Sequence, residues 1–178
     1  VLSGWGAPYE IMNTSIKPHA CCRYKQGVID CILKIVEDNG LSPEEIEKVE
    51  VSILKAGFAL VADPREIKLN PQSIVDAQFS MPYGAAVAIT KKNAFLDECC
   101  MENISSSAVK NLMSRVHCVE DPEIERDFPR KWPAKVIITT NDKQTYGEQM
   151  EHPKGDPENP LSWEEIIQKY RNLTAPVF

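Results

Sequence analysis

The chain has 178 residues, 43% of them hydrophobic and 26% charged, and its 20 basic and 26 acidic side chains give a formal net charge of −6. This composition is typical of one globular domain with a buried core, and the net negative charge argues against a general nucleic-acid surface. No apolar run approaches a membrane span and no signal-peptide pattern opens the chain. We therefore expect a cytoplasmic protein that binds neither membranes nor nucleic acids.

The most distinctive stretch is a basic loop, residues 17–25, which holds two lysines, an arginine, a histidine, a tyrosine and two thiols. Pro18 disfavours helix at Lys17, and apolar residues at helical spacing predict a helix from about residue 27 to a stop at residues 39–40. Cations beside a helix N-terminus favour a bound carboxylate or phosphate. On the residues alone, a solvated basic turn with buried structural cysteines ranks ahead of such a site.

The middle of the chain mixes clear and weak signals. Residues 41–46 carry a capping box and a hydrophobic staple that predict a short helix, and the alternation over residues 49–53 predicts a half-buried strand. Residues 55–71 have no regular pattern, so we expect a connection there. A helix should follow over residues 73–90, with a kink or a break at Pro82.

The second half of the chain alternates short elements with proline-rich connections. Ser162 opens a last helix with a second capping box, and this helix has an aromatic and aliphatic face. A small antiparallel sheet with packed helices, an α+β class, is the economical architecture. The remaining predicted elements are a helix capped within residues 105–107, a strand at 116–119, a loop at 121–133, a β-hairpin at 134–150 and a linker at 152–160.

Six cysteines include two adjacent pairs, Cys21-Cys22 and Cys99-Cys100. Without a targeting segment, adjacent pairs favour reduced intracellular thiols over a secreted disulfide framework. The cysteines and the three scattered histidines lack the spacing of zinc ligands, so we expect no metal.

Four stretches in the same order resemble the 2-methylcitrate dehydratase (MmgE/PrpD) family. Lys-Pro-His-Ala-Cys-Cys-Arg-Tyr at residues 17–24 is similar to the family signature Lys-Pro-Tyr-Pro-Cys-Cys-Arg-Tyr-Thr-His. The other stretches are residues 76–83, 127–130 and 153–162, of which the last is the most specific. Two departures from the signature matter: histidine replaces tyrosine at residue 19, and glutamine replaces histidine at residue 26.

The resemblance implies that the chain is the C-terminal part of a longer protein, either shortened or encoded as a separate subunit. Residues 1–155 would form the smaller α+β domain. Residues 156–178 would form a linker and a helix that returns to an absent all-helical domain of the same or a companion chain. We expect a homodimer.

The resemblance also implies chemistry. Family members dehydrate, decarboxylate or epimerise small polycarboxylates such as 2-methylcitrate, cis-aconitate and iminodisuccinate, without a cofactor. We therefore expect the C-terminal domain of a hydro-lyase that resembles 2-methylcitrate dehydratase of propionate metabolism, inactive alone. The alternatives are a decarboxylase or epimerase of the same family, a small-carboxylate binding module, and a structural subunit of a split enzyme.

Such chemistry needs a base next to a carboxylate and cations that stabilise the developing charge. Lys17 and Arg23 suit the second task, His19 or Tyr24 could donate a proton or hold a carboxylate, and Lys25 should face solvent. As candidates we name Lys17, His19 and Tyr24 for catalysis, and Lys17, Cys22, Arg23, Tyr83 and Lys154 for substrate binding.

Two of these candidates have simpler interpretations. Cys22 is either a nucleophile or, more simply, a buried structural thiol, since the sequence identifies no histidine partner for it. Lys154 is either an anion contact or a member of a loop ion pair.

Overall fold

The computed structural model describes residues 4, 6 and 9–177. One four-stranded sheet is packed against helices, so the α+β class is as predicted. The strands are β1 (Ile46–Ile53), β2 (Val116–Glu120), β3 (Ala134–Thr140) and β4 (Thr145–Met150), and their order in the sheet is β2-β1-β3-β4.

The sheet is mixed rather than wholly antiparallel. The pairs β1–β3 and β3–β4 are antiparallel, but β2 runs parallel to β1, with Val51 opposite Cys118. The helices between β1 and β2 bring the chain back to the end where β1 begins, and there the Val49 N–H donates to the Arg115 carbonyl over 3.0 Å. A crossover of this kind leads to parallel pairing, whereas the predicted hairpin between β3 and β4 gives antiparallel pairing.

Helix α1 (Gln26–Asn39) is the central helix of the domain. It buries an apolar face against β3 and β4, and it ends at Gly40, whose φ of 63° is the left-handed conformation of a C-terminal cap. Both ends agree with the prediction. The capping box at residues 42–45 closes a single 3₁₀ turn, Pro43–Glu45, after which the chain enters β1 directly.

The prediction of an irregular connection over residues 55–71 is wrong. This segment holds α2 (Lys55–Val61) and the single turn α3 (Arg65–Lys68). In α2 only Gly57 and Val61 are buried, and α3 buries nothing. A face of two residues is too narrow to be recognised as a helical pattern.

The helix predicted over residues 73–90 is split, as Pro82 suggested. Helix α4 (Ile74–Gln78) stops at Phe79, and α5 (Met81–Lys91) starts after Ser80, whose hydroxyl accepts the Tyr83 N–H over 3.1 Å. Pro82 therefore lies in the first turn of α5, where its missing N–H costs nothing. The helices that follow are α6 (Met101–Ser105), α7 (Ser107–Ser114) and α8 (Pro122–Glu125).

The last helix, α9 (Trp163–Thr174), has the predicted capping box between Ser162 and Glu165. Its apolar face stays uncovered: Trp163 is 75% exposed and Tyr170 is 66% exposed, so these side chains do not pack on the rest of the domain. Within the described part of the chain, no helix is long and apolar enough to cross a membrane.

Candidate functional site

The basic loop is anchored by the loop at residues 153–156. The Ile16 N–H donates to the Gly155 carbonyl over 2.9 Å, and the Ser15 hydroxyl donates to Asp156 Oδ1 over 2.7 Å. Gly155 has a φ of 91°, and a Cβ on it would collide with the Ile16 carbonyl. Glycine is therefore required for this close approach, which fixes the position of Lys17.

Arg23 is held by two partners inside the domain. Its guanidinium pairs with Asp156 Oδ2 at 2.7 Å and lies 4.7 Å from the centre of the Trp132 ring. The Asp156 side chain is 4% exposed, so this ion pair is largely shielded from water. The charge of Arg23 is thus balanced inside the domain rather than presented to a ligand.

The expectation that Lys25 faces solvent is wrong. Lys25 is 1% exposed, and its ammonium donates to the carbonyls of Ala77 (2.9 Å) and Gln78 (3.3 Å), next to the break between α4 and α5. Gly84 makes room for it, because a Cβ there would collide with the end of the lysine chain. Burial lowers the pKa of Lys25.

The main cleft, an open cavity of about 350 Å³, lies between the basic loop, the end of α4, residues 95–96 and α9. Its wall is partly apolar, and three of its apolar residues, Phe79, Leu96 and Leu173, stay 40–46% exposed at the rim. The residues that matter most for its chemistry are Lys17, His19, Cys22, Phe79, Lys169 and Leu173.

Two lysines give the main cleft its positive charge. The Lys17 ammonium donates to the Cys21 carbonyl over 3.1 Å, and the Lys169 ammonium donates to the Lys17 carbonyl over 2.8 Å. Within residues 9–177, neither ammonium forms an ion pair with a carboxylate. Each ammonium has three donors, so both retain donors and an unbalanced charge for an anion.

His19 joins the main cleft to a smaller side cavity of about 260 Å³, because it lines both. Its Nε2 lies 2.7 Å from Asp30 Oδ1. The second oxygen of Asp30 accepts the main-chain N–H of Lys154 over 2.9 Å. The site therefore combines two cations, an imidazole and an apolar wall, a set that suits a small anion with a hydrocarbon skeleton.

Comparison with known proteins identifies the family of the chain. A family model described as the MmgE/PrpD C-terminal domain matches residues 19–178. The chain belongs to the MmgE/PrpD family. Two curated relatives are the cis-aconitate decarboxylase of Aspergillus terreus and the protein of the same name from its strain NIH 2624 / FGSC A1156. Each is 25% identical over 188 aligned positions, which cover 99% of this chain and 37% of the relative's length.

The MmgE/PrpD domain places the other predicted site residues away from the main cleft. The Tyr24 ring packs against Gly57 and lies 5.1 Å from the Trp132 ring. Tyr83 is fully buried, and its hydroxyl donates to the Glu98 carbonyl over 2.5 Å. Burial raises the pKa of Tyr83, which keeps its phenol protonated.

Cys22 and Lys154 have intermediate positions. Cys22 is partly exposed and lines the main cleft, whereas its neighbour Cys21 is buried and has its pKa raised by burial to about 11. The Lys154 ammonium lies 3.2 Å from Glu165 at the start of α9, which is the loop ion pair considered from the sequence.

Two contributors were missed from the sequence. Lys169 reaches the main cleft only because α9 lies beside the basic loop, and nothing in its local pattern distinguishes it from any solvated helix residue. Gln26, where the MmgE/PrpD signature has histidine, accepts the His19 N–H and donates to the His19 carbonyl, both over 3.1 Å. In the sequence, only the replacement of the signature histidine by glutamine at residue 26 could have indicated this role.

One group in the described chain has the donors of a metal site. Ligand atoms of His152, Asp156 and Glu158 lie within 4.8 Å of one another. Both oxygens of Asp156, however, are already engaged, one by Ser15 and one by Arg23. The neighbouring guanidinium also disfavours a cation, so this group suits an ion pair rather than a metal.

Proposed function

We propose that this domain supplies the carboxylate-binding wall of a lyase that acts on small polycarboxylates. The reaction would remove a proton next to a substrate carboxylate and then eliminate water. Family membership supports the class of reaction. The observation that carries the proposal is the pair of unbalanced ammonium groups, Lys17 and Lys169, at the main cleft.

The charge of the protein makes this pair significant. The chain carries a net charge of −6, so a polycarboxylate would be repelled by most of its surface. Other candidate cations of the basic loop are engaged elsewhere, Arg23 by Asp156 and Lys25 by main-chain carbonyls. Two ammonium groups at one cavity can hold a substrate carboxylate. They also stabilise the negative charge that develops when the carbon next to that carboxylate loses a proton.

The site is open on one side, which suits a domain that works with a second one. The rim residues Phe79, Leu96 and Leu173 are 40%, 46% and 43% exposed, and α9 exposes an aromatic face. We propose that a helical domain of the same or a companion chain covers this rim and supplies the remaining catalytic groups. The domain alone should then bind substrate weakly and turn over none, because acid–base catalysis needs all groups within hydrogen-bond reach.

Decarboxylation of cis-aconitate is the second candidate reaction, and the names of the two curated relatives favour it. Loss of carbon dioxide from a tricarboxylate needs the same cationic wall, because charge again develops next to a retained carboxylate. The main cleft therefore serves either reaction.

Binding tests the carboxylate wall directly. Tricarballylate, a tricarboxylate with neither a hydroxyl nor a double bond, should bind the domain and shift the amide signals of residues 17–22. Lys17→Ala and Lys169→Ala should each weaken binding roughly tenfold, as expected for the loss of one charged contact. Lys110→Ala, an exposed lysine on α7, is the matched control and should bind normally.

Turnover tests the reaction. The domain should be inactive on 2-methylcitrate and cis-aconitate alone, and active on one of them when combined with the helical part of its own protein. The product, water loss or carbon dioxide release, decides between the two reactions. Binding without turnover in the combined protein would instead indicate a carboxylate-binding module, and absence of tricarballylate binding would refute the carboxylate wall.

A further inference from the structure

We infer that Asp30 and His19 form a proton-transfer pair at the main cleft, with His19 Nδ1 as the base and Asp30 as its positioning residue. This inference rests on the proposed function, because it assigns the base to the same carboxylate site. The pair is close and shielded: His19 Nε2 and Asp30 Oδ1 are 2.7 Å apart, and the two side chains are 9% and 13% exposed.

The hydrogen bond selects the protonation form of the imidazole. A carboxylate only accepts hydrogen bonds, so Nε2 must carry the hydrogen that it donates to Asp30. In the neutral imidazole, Nδ1 is then unprotonated and available as a base. The orientation of Asp30 is fixed in turn, since its second oxygen accepts the Lys154 main-chain N–H over 2.9 Å.

The position of Nδ1 follows from the other contacts. Among the described residues, Nδ1 has no hydrogen-bond partner, and no buried side-chain nitrogen or oxygen is left without one. Nδ1 therefore keeps some contact with solvent, although the residue as a whole is only 8% exposed. His19 lines both the main cleft and the side cavity, which are the two spaces from which a ligand can reach its ring.

The main chain that carries the imidazole is also held. The Gln26 side chain is fully buried and binds both the N–H and the carbonyl of His19. Backbone and ring are thus fixed by separate partners, Gln26 and Asp30. Efficient proton transfer requires a base that is held in position, and these two partners hold both the main chain and the ring of His19.

The step balances without a co-reactant. The carbon next to a substrate carboxylate gives its proton to Nδ1, and the electron pair of the broken C–H bond moves onto that carboxylate beside Lys17. The resulting imidazolium faces the Asp30 carboxylate. In a dehydration, the electron pair then forms the double bond as the C–O bond breaks, and the departing hydroxyl takes the proton from Nδ1 to leave as water.

The test is the hydrogen position on His19, read from long-range ¹H–¹⁵N spectra of the domain labelled with ¹⁵N-histidine. His19→Gln assigns the signals, with His117 and His152 as internal controls. Neutral His19 should be in the Nε2–H form by at least about tenfold, the ratio that one charge-assisted hydrogen bond imposes. Asp30→Asn should reduce this preference and leave the other two histidines unchanged. A neutral wild-type His19 with the hydrogen on Nδ1 would overturn the inference, even if Asp30→Asn did not fold.

Tricarballylate separates this inference from the proposed function. It should shift the His19 Nδ1 signal in the wild type, and in Lys17→Ala the same shift should need roughly tenfold more tricarballylate. If it shifts the amides of the basic loop but leaves Nδ1 unchanged, the carboxylate wall stands and the proton-transfer pair is refuted. If tricarballylate does not bind at all, the proposed function is refuted, and with it the proton-transfer role of His19 and Asp30.

Discussion

Arg23 and Asp156 are 133 residues apart in the chain, and their side chains meet in a 2.7 Å ion pair. The pair joins the basic loop to the loop at residues 153–156, so two stretches that resemble the family meet in space. Asp156 also binds Ser15, two residues before Lys17. Its role is therefore to position the loop that carries the site.

We predict that Asp156→Asn destabilises the fold. Loss of the carboxylate charge leaves the Arg23 guanidinium without its counterion in a partly buried position. We expect the free energy of unfolding to fall by roughly 2–3 kcal/mol, below the ~3–5 kcal/mol of a fully buried pair, because Arg23 remains 24% exposed. Urea denaturation measures the change. Asp127→Asn breaks surface pairs with Arg130 and Lys131 and should cost only about 0–1 kcal/mol; equal costs for both variants would contradict the assigned role.

Gly155→Ala should be more damaging than Gly40→Ala. Both glycines have positive φ values, 91° and 63°, so alanine strains the backbone at either position by about 1–2 kcal/mol. At Gly40 nothing lies within 4 Å of the added carbon, whereas at Gly155 it collides with the Ile16 carbonyl. We expect the loss of unfolding free energy at Gly155 to be at least twice that at Gly40, together with shifted amide signals at residues 15–19. Similar losses at both positions would mean that the loops separate easily.

Local patterns predicted the elements that depend on neighbouring residues. The end of α1 at Gly40, the capping box at Ser162 and the hairpin from Ala134 to Met150 all follow from residues within a few positions of one another. The stop and the caps need only their own turn, and the hairpin needs only its alternation and a short loop.

The parts that were missed depend on distant partners. Lys25 follows an arginine and a tyrosine and has the local character of a solvated residue, yet its ammonium is held by carbonyls 52 and 53 positions away. The contact between Lys169 and Lys17 spans 152 positions. No periodicity encodes such pairings, so the sequence predicted a basic loop but not which of its charges would be left for a ligand.

The six thiols should be free and should differ in reactivity. Denaturing titration without reductant should count six, since none is paired in the structure. In the folded protein, burial raises the pKa of Cys21 to about 11, which leaves only about 0.1% thiolate near pH 8. Alkylation should therefore modify the partly exposed Cys22 before Cys21. Tricarballylate should slow the alkylation of Cys22 but not of Cys100, which does not line the main cleft; equal protection of both would indicate a general effect on the fold.

Lys25 should increase the stability of the domain as the pH rises, whereas the buried thiols should decrease it. Its pKa is lowered by burial, so between that value and the unfolded value of about 10.4 the unfolded chain binds more protons than the folded one. In that window the contribution of Lys25 to the free energy of unfolding increases as the pH rises. Below the folded pKa the lysine is charged in both states, and its contribution is constant.

Lys25→Met removes this contribution while keeping a side chain of similar length. Urea denaturation of both proteins near pH 7 and near pH 9.5 measures it as a difference, in which most of the thiol contribution cancels. The charge of Lys25 lowers the pKa of Cys21, so the variant loses slightly more thiol stabilisation at the higher pH, and the expected difference keeps its sign. The thiol contributions have the opposite sign, because a thiol such as that of Cys21, with its pKa raised from 9.0 to about 11, binds more protons folded than unfolded. We expect the stability of the wild type relative to Lys25→Met to be higher at the higher pH. An unchanged or lower relative stability would mean that the Lys25 ammonium is not desolvated, and that the carbonyls of Ala77 and Gln78 do not enclose it.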